Sequence, residues 1–321
     1  MKMLYFQGKL LLTQRLKQLS LQKSLSYRIE ILRQRIMKLK QLYQLTYRNY
    51  NRSNMDIVVK HREVISAEQR SAISHRYKRI TRAINRVFWG TESETAHSFY
   101  VGSYGRGTAI NTSDIDILVE LPRDVYNQYD RHEGNGQSRL LQTVKNAILD
   151  IFPRSDVRGD GQVVIIRFAD GIKFEILPAF KHTDLLGNGT ETYDYPDSNM
   201  GGHWLSTNPK VEQLAMEKRN RESNGLLCDT CRHMRQIRDT YFGSYHLPGI
   251  VIDSFVYHYI SDWHWLRDGE VSTQPYGTYE KRLYYQCLQF ELNLTAPGSG
   301  MQVNAYTCVD ILNKVLNHMS I

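Results

Sequence analysis

The chain has 321 residues, of which 41% are hydrophobic and 11% aromatic, so it can bury a substantial core. This composition excludes a disordered or low-complexity chain. The sequence has no run of eighteen apolar residues and no signal-peptide pattern, and its four cysteines do not suggest a disulfide framework. We therefore expect a cytoplasmic protein without a membrane span, built from two domains or from one large domain with an appendage.

The net charge of +8 is unevenly distributed along the chain. Residues 1–90 hold 20 Lys and Arg against 4 Asp and Glu, whereas the rest of the chain holds 21 against 29. A basic segment of this kind attracts polyanions such as nucleic acid, anionic lipid or nucleotides. A solvated helical face, or a surface that docks on the acidic remainder, explains the same charge equally well.

The first predicted element is one long or broken basic helix over residues 9–50, because Leu and Ile recur there at helical spacing. Residues 5–8 (Tyr-Phe-Gln-Gly) resemble the remnant of a protease-site tag, so residues 1–8 are set aside from the fold prediction. The helix either binds an activating polyanion or packs its apolar stripe within the protein or against a second copy. We favour packing, because exposed apolar faces of this size are rare on soluble monomers.

From residue 66 onward the pattern changes repeatedly between helix and strand. Ser66 is placed to cap a helix that runs through residues 72–87, and residues 138–151 form another helical pattern. Strands are predicted over residues 98–101, 114–121, 162–168 and 172–177. Beyond Pro209 the strand signals stop, and helices are predicted over residues 210–222, 226–242, 248–260, 275–291 and 307–319.

This layout predicts an α+β protein with three parts. Residues 1–55 form the basic N-terminal helical segment, residues 56–205 a core of mixed sheet and helices, and residues 206–321 a helical lobe.

A glycine-rich turn joins the first two predicted strands. Gly102 would let the backbone approach a phosphate closely, and the Ser103 hydroxyl and neighbouring amides would donate hydrogen bonds to it. Taken alone, a Gly-Ser turn is weak evidence, because most such turns bind nothing.

Acidic residues follow this turn in a regular pattern. Asp114 and Asp116 are two residues apart on a strand and therefore point to the same face, while the intervening Ile115 faces the other way. Glu175 occupies the equivalent face of a later strand, and it joins the two aspartates if the strands are neighbours. Three carboxylates together suit hard divalent cations such as Mg²⁺. Two such ions can activate an attacking hydroxyl and stabilise a leaving pyrophosphate.

Gly-Ser, then Asp-x-Asp, then a further acid on a following strand resembles the signature of the polymerase-β-like nucleotidyltransferase superfamily. The motifs FEILPAF and WLSTNP are most similar to those of the bacterial CD-NTases, relatives of the animal cyclic GMP–AMP synthase. The resemblance covers about residues 60–321. It implies that Gly102 and Ser103 hold the donor triphosphate and that Asp114, Asp116 and Glu175 bind two Mg²⁺ or Mn²⁺ ions.

The resemblance extends into the helical lobe. The segment from Arg232 to Arg235 lies where the family places a phosphate-contacting Lys or Arg, and Arg235 would be a bidentate donor to the triphosphate. Ser244 resembles a phosphate contact, and Tyr245 resembles the tyrosine that stacks on a base, although core packing would also explain a tyrosine there. Cys228 and Cys231 share a helix face, and we interpret them as buried thiols rather than as half of a zinc site.

The expected activity is that of a nucleotidyltransferase that joins ATP, GTP or pyrimidine triphosphates into a cyclic di- or trinucleotide or a short oligonucleotide. The resemblance implies a role in bacterial anti-phage signalling, with a downstream effector protein that senses the product. The alternatives are an oligoadenylate-type, RNA-tailing or small-molecule nucleotidyltransferase, or an inactive nucleic-acid-binding relative. Activation by nucleic acid through the basic N-terminus is the less favoured expectation.

Overall fold

Within residues 56–320, which form one compact unit, the computed structural model describes residues 57–60, 64–183, 189–289 and 293–320. The predicted basic helix over residues 9–50 lies outside the described residues. The described helices are α1 (Ala67–Phe88), α2 (Gly102–Gly105), α3 (Arg123–Asp130), α4 (Gly136–Ile151), α5 (Pro209–Glu222), α6 (Leu226–Tyr241), α7 (Gly249–Tyr259), α8 (Thr278–Gln289) and α9 (Val309–Ser320). The described strands are β1 (Ser98–Tyr100), β2 (Ile115–Leu121), β3 (Asp156–Asp160), β4 (Val163–Arg167), β5 (Lys173–Thr183), β6 (Gly189–Asp197), β7 (His203–Thr207), β8 (Leu294–Thr295) and β9 (Gln302–Val303).

Strands β1 to β7 form one mixed sheet in which β5 is central. Strand β2 pairs with β5 in parallel, whereas the other pairings in the sheet are antiparallel. Strand β4 pairs with the first half of β5, and β6 pairs with its second half. Because β2 and β5 are parallel and Ile115 pairs with Phe174, the beginnings of these two strands lie side by side at one end of the sheet.

Helices α1 and α4 cover one face of this sheet. The N-terminus of α1 is closed by a capping box, in which the Ser66 side chain accepts from the Gln69 amide and the Gln69 side chain accepts from the Ser66 amide. Apolar residues of α1 recur every three or four positions and pack on the alternate residues of β2 that face them. The residues that share this core include Ile73, Tyr77, Ile80, Ile84, Ile115, Ile117 and Val119.

A second buried cluster is formed by helices α6 to α9. It includes Met234, Phe255, Leu283 and Val315, none of which is more than 1% exposed, and Val58 from the segment before α1 also joins it. All four cysteines are free and buried, which agrees with the interpretation of the first two as buried thiols: Cys228, Cys231, Cys287 and Cys308. Among the described residues, no helix is both long and apolar enough to cross a bilayer.

The α+β prediction is confirmed, and the five predicted helices of the lobe correspond to α5 to α9. The prediction that strands end before Pro209 is wrong in one detail, because β8 and β9, two strands of two residues each, pair beyond this point. Strands β3, β6 and β7 were also not predicted. Charged residues, glycine or proline interrupt the alternation of β3 and β6, and pairing within the sheet stabilises all three strands instead. The predicted boundary between residues 205 and 206 stays a prediction.

Candidate active site

The three predicted carboxylates converge at the end of the sheet where β2 and β5 begin. Asp116 is the register partner of Glu175 across the parallel pair, and Asp114 immediately precedes β2. Their neighbours Ile115 and Ile117 are buried on the opposite face at 2% and 0% exposure. The alternation expected from the sequence therefore places all three acids on the face that is turned away from α1 and α4.

Two of the three acids in this cluster, Asp114 and Glu175, bind the same cation, Lys173. Its Nζ lies 2.5 Å from Asp114 Oδ2 and 2.8 Å from Glu175 Oε1. Burial would lower the pKa of Lys173, but hydrogen bonds to Asp114 and Glu175 raise it above its usual value. Asp116 receives no such bond, and burial together with Glu175 and Asp114 raises its pKa to about 7.

The glycine-rich turn packs directly on Asp116. Helix α2 begins at Gly102, whose φ of +58° is the left-handed conformation that glycine adopts without strain. A Cβ at Gly102 would lie 2.6 Å from Asp116 Cγ and even closer to Asp116 Oδ2. The absence of a side chain at residue 102 therefore lets the turn and the carboxylate lie in contact.

Ser103 follows Gly102 in the first turn of this short helix. Its carbonyl accepts hydrogen bonds from the Thr108 and Ala109 amides at 2.9 and 3.1 Å, which closes the loop that leads to β2. The amides of a first helical turn have no acceptor within the helix, so this backbone can donate to an anion. The predicted phosphate turn thus lies beside the predicted carboxylates.

Acidic side chains of the helical lobe bind residues at the end of this turn. Arg106 caps α2 and ion-pairs with Asp253 of α7 at 2.9 Å and with Glu212 of α5 at 3.4 Å. Thr108 also donates to Asp253, at 3.0 Å. Burial would raise the pKa of Asp253, but the guanidiniums of Arg235 and Arg106 hold it below its usual range. Sequence patterns did not single out Arg106, Asp253 or Glu212, because each lies on a different element.

The structure corrects the prediction for Arg235, which is only 1% exposed and is not placed to meet a phosphate. Its Nη2 donates to Asp253 Oδ2 at 2.9 Å and to the Gly249 carbonyl at 3.2 Å, so it is a buried structural cation in this lobe. Arg232, one helical turn earlier, is partly exposed, and its Nη2 donates to the Gly107 carbonyl at 2.7 Å. Of these two arginines, Arg232 is therefore the one that contacts the turn.

Ser244 and Tyr245 lie in the exposed segment between α6 and α7. Tyr245 is 52% exposed, which excludes core packing as the reason for this tyrosine. The Lys314 ammonium of α9 lies 4.5 Å from the centre of its ring, a cation–π contact that the sequence did not suggest. The ring is available as an aromatic surface, and its role in holding a base stays a prediction.

A cavity of about 510 Å³ lies between the C-terminal end of α2 and helices α5 and α6. Its lining contains none of the three carboxylates, so it is not where their chemistry would occur. It is lined by Gly105, Arg106, Gly107, Lys210, Gln213, Leu214, Glu217, Asn220, Cys228 and Arg232.

The residues at the carboxylate cluster fit a divalent cation by the chemistry of their donors. Asp114, Asp116 and Glu175 supply only oxygen atoms, and the cation that already lies between two of them shows that positive charge is favoured there. Among the described residues, no three Asp, Glu, His or Cys side chains are arranged as ligands of a single ion. The ligand types therefore suit Mg²⁺ or Mn²⁺, while the side chains are arranged around Lys173.

The profile of the Second Messenger Oligonucleotide or Dinucleotide Synthetase (SMODS) domain matches residues 59–220, which is half of the chain. The chain belongs to the SMODS family. The predicted assignment as a nucleotidyltransferase of the CD-NTase type is thereby confirmed. No curated protein matches this SMODS chain in sequence.

Solved structures show the same fold at low sequence identity. The CdnE cyclic dinucleotide synthase of Elizabethkingia meningoseptica, with GTP and Apcpp, is 15% identical, with a TM-score of 0.53 over 78% of this chain and 89% of that one. A STING-associated CdnE c-di-GMP synthase from Capnocytophaga granulosa is 14% identical, with a TM-score of 0.54 over 78% and 80%. CdnC from E. coli MS115-1 with ATP is 14% identical, with a TM-score of 0.53 over 82% and 86%. The predicted fold of this SMODS protein, a polymerase-β-like core with a helical lobe, is confirmed.

Proposed function

We propose that this protein joins nucleoside triphosphates into a cyclic di- or trinucleotide, or a short oligonucleotide, with release of pyrophosphate. The observation that carries the proposal is the convergence of Asp114, Asp116 and Glu175 beside the Gly102 turn in a member of this family. Related structures hold GTP with Apcpp, or ATP, which supports ATP and GTP as substrates. Pyrimidine triphosphates remain in the candidate set.

The reaction requires a hydroxyl oxygen of one nucleotide to attack the α-phosphorus of another, so that a phosphodiester bond forms and the bond to pyrophosphate breaks. The turn at Gly102 and Ser103 binds the triphosphate through its backbone and hydroxyl donors. Asp114, Asp116 and Glu175 hold two Mg²⁺ or Mn²⁺ ions, which when bound supply activation of the attacking hydroxyl and charge neutralisation at the leaving group. Glu175 orients the hydroxyl, since it lies on the strand next to the two aspartates.

The helical lobe holds the bases in this proposal. Tyr245 offers its exposed ring for stacking, Ser244 contacts phosphate, and the partly exposed Arg232 takes the role expected of Arg235. The family's description supports a second messenger as the product. We also propose that a downstream effector protein senses this product in bacterial anti-phage signalling. We expect basal activity without added nucleic acid.

The test is incubation of the protein with α-labelled ATP, GTP, CTP and UTP and Mg²⁺ or Mn²⁺, followed by separation of phosphatase-resistant products. The Asp114→Ala/Asp116→Ala variant should form no product while remaining folded. Asp124→Ala/Glu133→Ala is the matched control, because it removes two exposed acids outside the site and changes the net charge equally. Full activity in the Asp114/Asp116 variant would refute the proposal.

The same assay separates the alternatives. Linear products would indicate an oligoadenylate-type enzyme, and label on added RNA would indicate a tailing enzyme. A tenfold or larger stimulation by double-stranded DNA or RNA that fades steeply with salt would overturn the expectation of independence from nucleic acid.

A further inference from the structure

Lys173 is the one cation that the structure places in hydrogen-bond contact with both Asp114 and Glu175 among the described residues. It belongs to the first position of β5 and shares a strand face with Glu175, two residues later. Its side chain is 21% exposed, so the ammonium is not free in solvent but lies against the carboxylate cluster. The carboxylate oxygens Asp114 Oδ2 and Glu175 Oε1 are bound to this amine.

These two oxygens belong to the set that any divalent cation at the site would need. An ammonium and a metal ion cannot both occupy the space between them, because the two cations repel and the lone pairs that one uses are lost to the other. The present arrangement also keeps the acids from forming a ligand cage, since no three described Asp, Glu, His or Cys side chains surround one point. Binding of a metal therefore requires Lys173 to move.

We propose that Lys173 is an internal counterion that occupies the site of a divalent cation between Asp114 and Glu175, and that metal binding displaces it. Lys173 is thus a positioning residue that sets the metal concentration at which the carboxylate cluster assembles. The inference rests on the proposed function in that it takes these carboxylates as metal ligands, but it concerns a competition that can be measured without nucleotide.

The first experiment measures binding of Mn²⁺ to the full chain without nucleotide, from the electron paramagnetic resonance signal of free Mn²⁺. Because one competing positive charge is removed, Lys173→Met should bind Mn²⁺ about tenfold more tightly than the unmodified protein. Lys78→Met is the matched control, because Lys78 is exposed on α1 and its loss changes the net charge equally. Its affinity for Mn²⁺ should change by less than about twofold.

The second experiment uses the unmodified protein, so that it stands even where the Lys173→Met variant fails to fold. Acetylation of lysines by an amine-reactive ester, read by mass spectrometry, should increase at Lys173 on addition of Mg²⁺ and stay constant at Lys78. Equal or weaker Mn²⁺ binding by Lys173→Met, or unchanged or lower acetylation of Lys173 with Mg²⁺, would overturn the inference. If Asp116→Asn leaves Mn²⁺ binding unchanged, the proposed metal site is refuted as well. If the protein transfers nucleotides but Lys173 does not compete with the metal ion, only the inference about Lys173 is refuted.

Discussion

Replacement of Gly102 by alanine should damage the site through two separate costs. The first is the backbone cost of placing a side chain at φ +58°, which is about 1–2 kcal/mol. The second arises because the new Cβ would lie 2.6 Å from Asp116 Cγ and 2.9 Å from Asp116 Cβ, so that the carboxylate must move away. Steric insertion of this kind costs about 1–3 kcal/mol, which gives a total loss of about 3 kcal/mol.

Activity should fall further than stability, because the displaced group is a proposed metal ligand. A shift of Asp116 by about 1 Å should lower turnover about 10²-fold. Gly90 provides the matched control, since its φ is +64° and no atom lies within 4 Å of a Cβ there. Gly90→Ala should therefore show only the backbone cost of about 1–2 kcal/mol, with turnover within about twofold of the unmodified protein.

Urea unfolding and steady-state nucleotide transfer measure the two effects, and a double-mutant cycle isolates the collision. In an Asp116→Ala background, Gly102→Ala should cost less than it does alone, with a coupling free energy of about 1–2 kcal/mol. Equal stability losses for the two glycine variants, with no coupling to Asp116, would refute the argument that the turn and the carboxylate are in contact.

Three further predictions concern the acidic residues. Glu175→Gln should lower kcat about 10²-fold with little change in the KM for the donor nucleotide, and comparable turnover with a raised KM would make it peripheral. Because the pKa of Asp116 rises from 3.8 to about 7, the folded metal-free protein retains a proton that the unfolded chain releases. The stability contributed by this proton is present below about pH 4 and is lost as the pH rises to about 7. In urea unfolding, the free energy of unfolding of the unmodified protein should therefore fall with pH relative to that of Asp116→Asn. Equal slopes for the two proteins would contradict this argument. Asp253→Asn should cost about 3–5 kcal/mol of unfolding free energy, because it removes the acid that pairs with the buried guanidinium of Arg235. Asp170→Asn, at an exposed ion pair, should cost about 1 kcal/mol or less, and similar losses would contradict the burial argument.

The sheet and the carboxylates could be predicted because their signals are local. A strand with a buried face alternates every second residue, so Ile115 and Ile117 reveal which way Asp114 and Asp116 point. The pairing of β2 with β5 was an assumption at the sequence level, and the structure confirms it through the register of Asp116 with Glu175.

The contacts behind the turn could not be predicted, because they join elements distant in sequence. Asp253 lies 147 positions from Arg106 and 18 from Arg235, and nothing in the intervening sequence indicates that they meet. The error at Arg235 has the same origin. An arginine on a helix next to a phosphate turn suggests a ligand contact, but a buried acid on the adjacent helix binds it instead.

These contacts imply that the helical lobe and the chemistry on the sheet are mechanically connected. Arg106 belongs to the turn that packs on Asp116, whereas Asp253 and Glu212 belong to helices α7 and α5 of the lobe. Arg106 is 9% exposed in its side chain and pairs with both acids, so a shift of either helix must carry the turn with it or break a buried ion pair. Breaking such a pair costs several kcal/mol, so a movement of the helix together with the turn requires less free energy. Substitutions on α7 that leave the carboxylates untouched should therefore alter turnover through the position of Gly102 relative to Asp116.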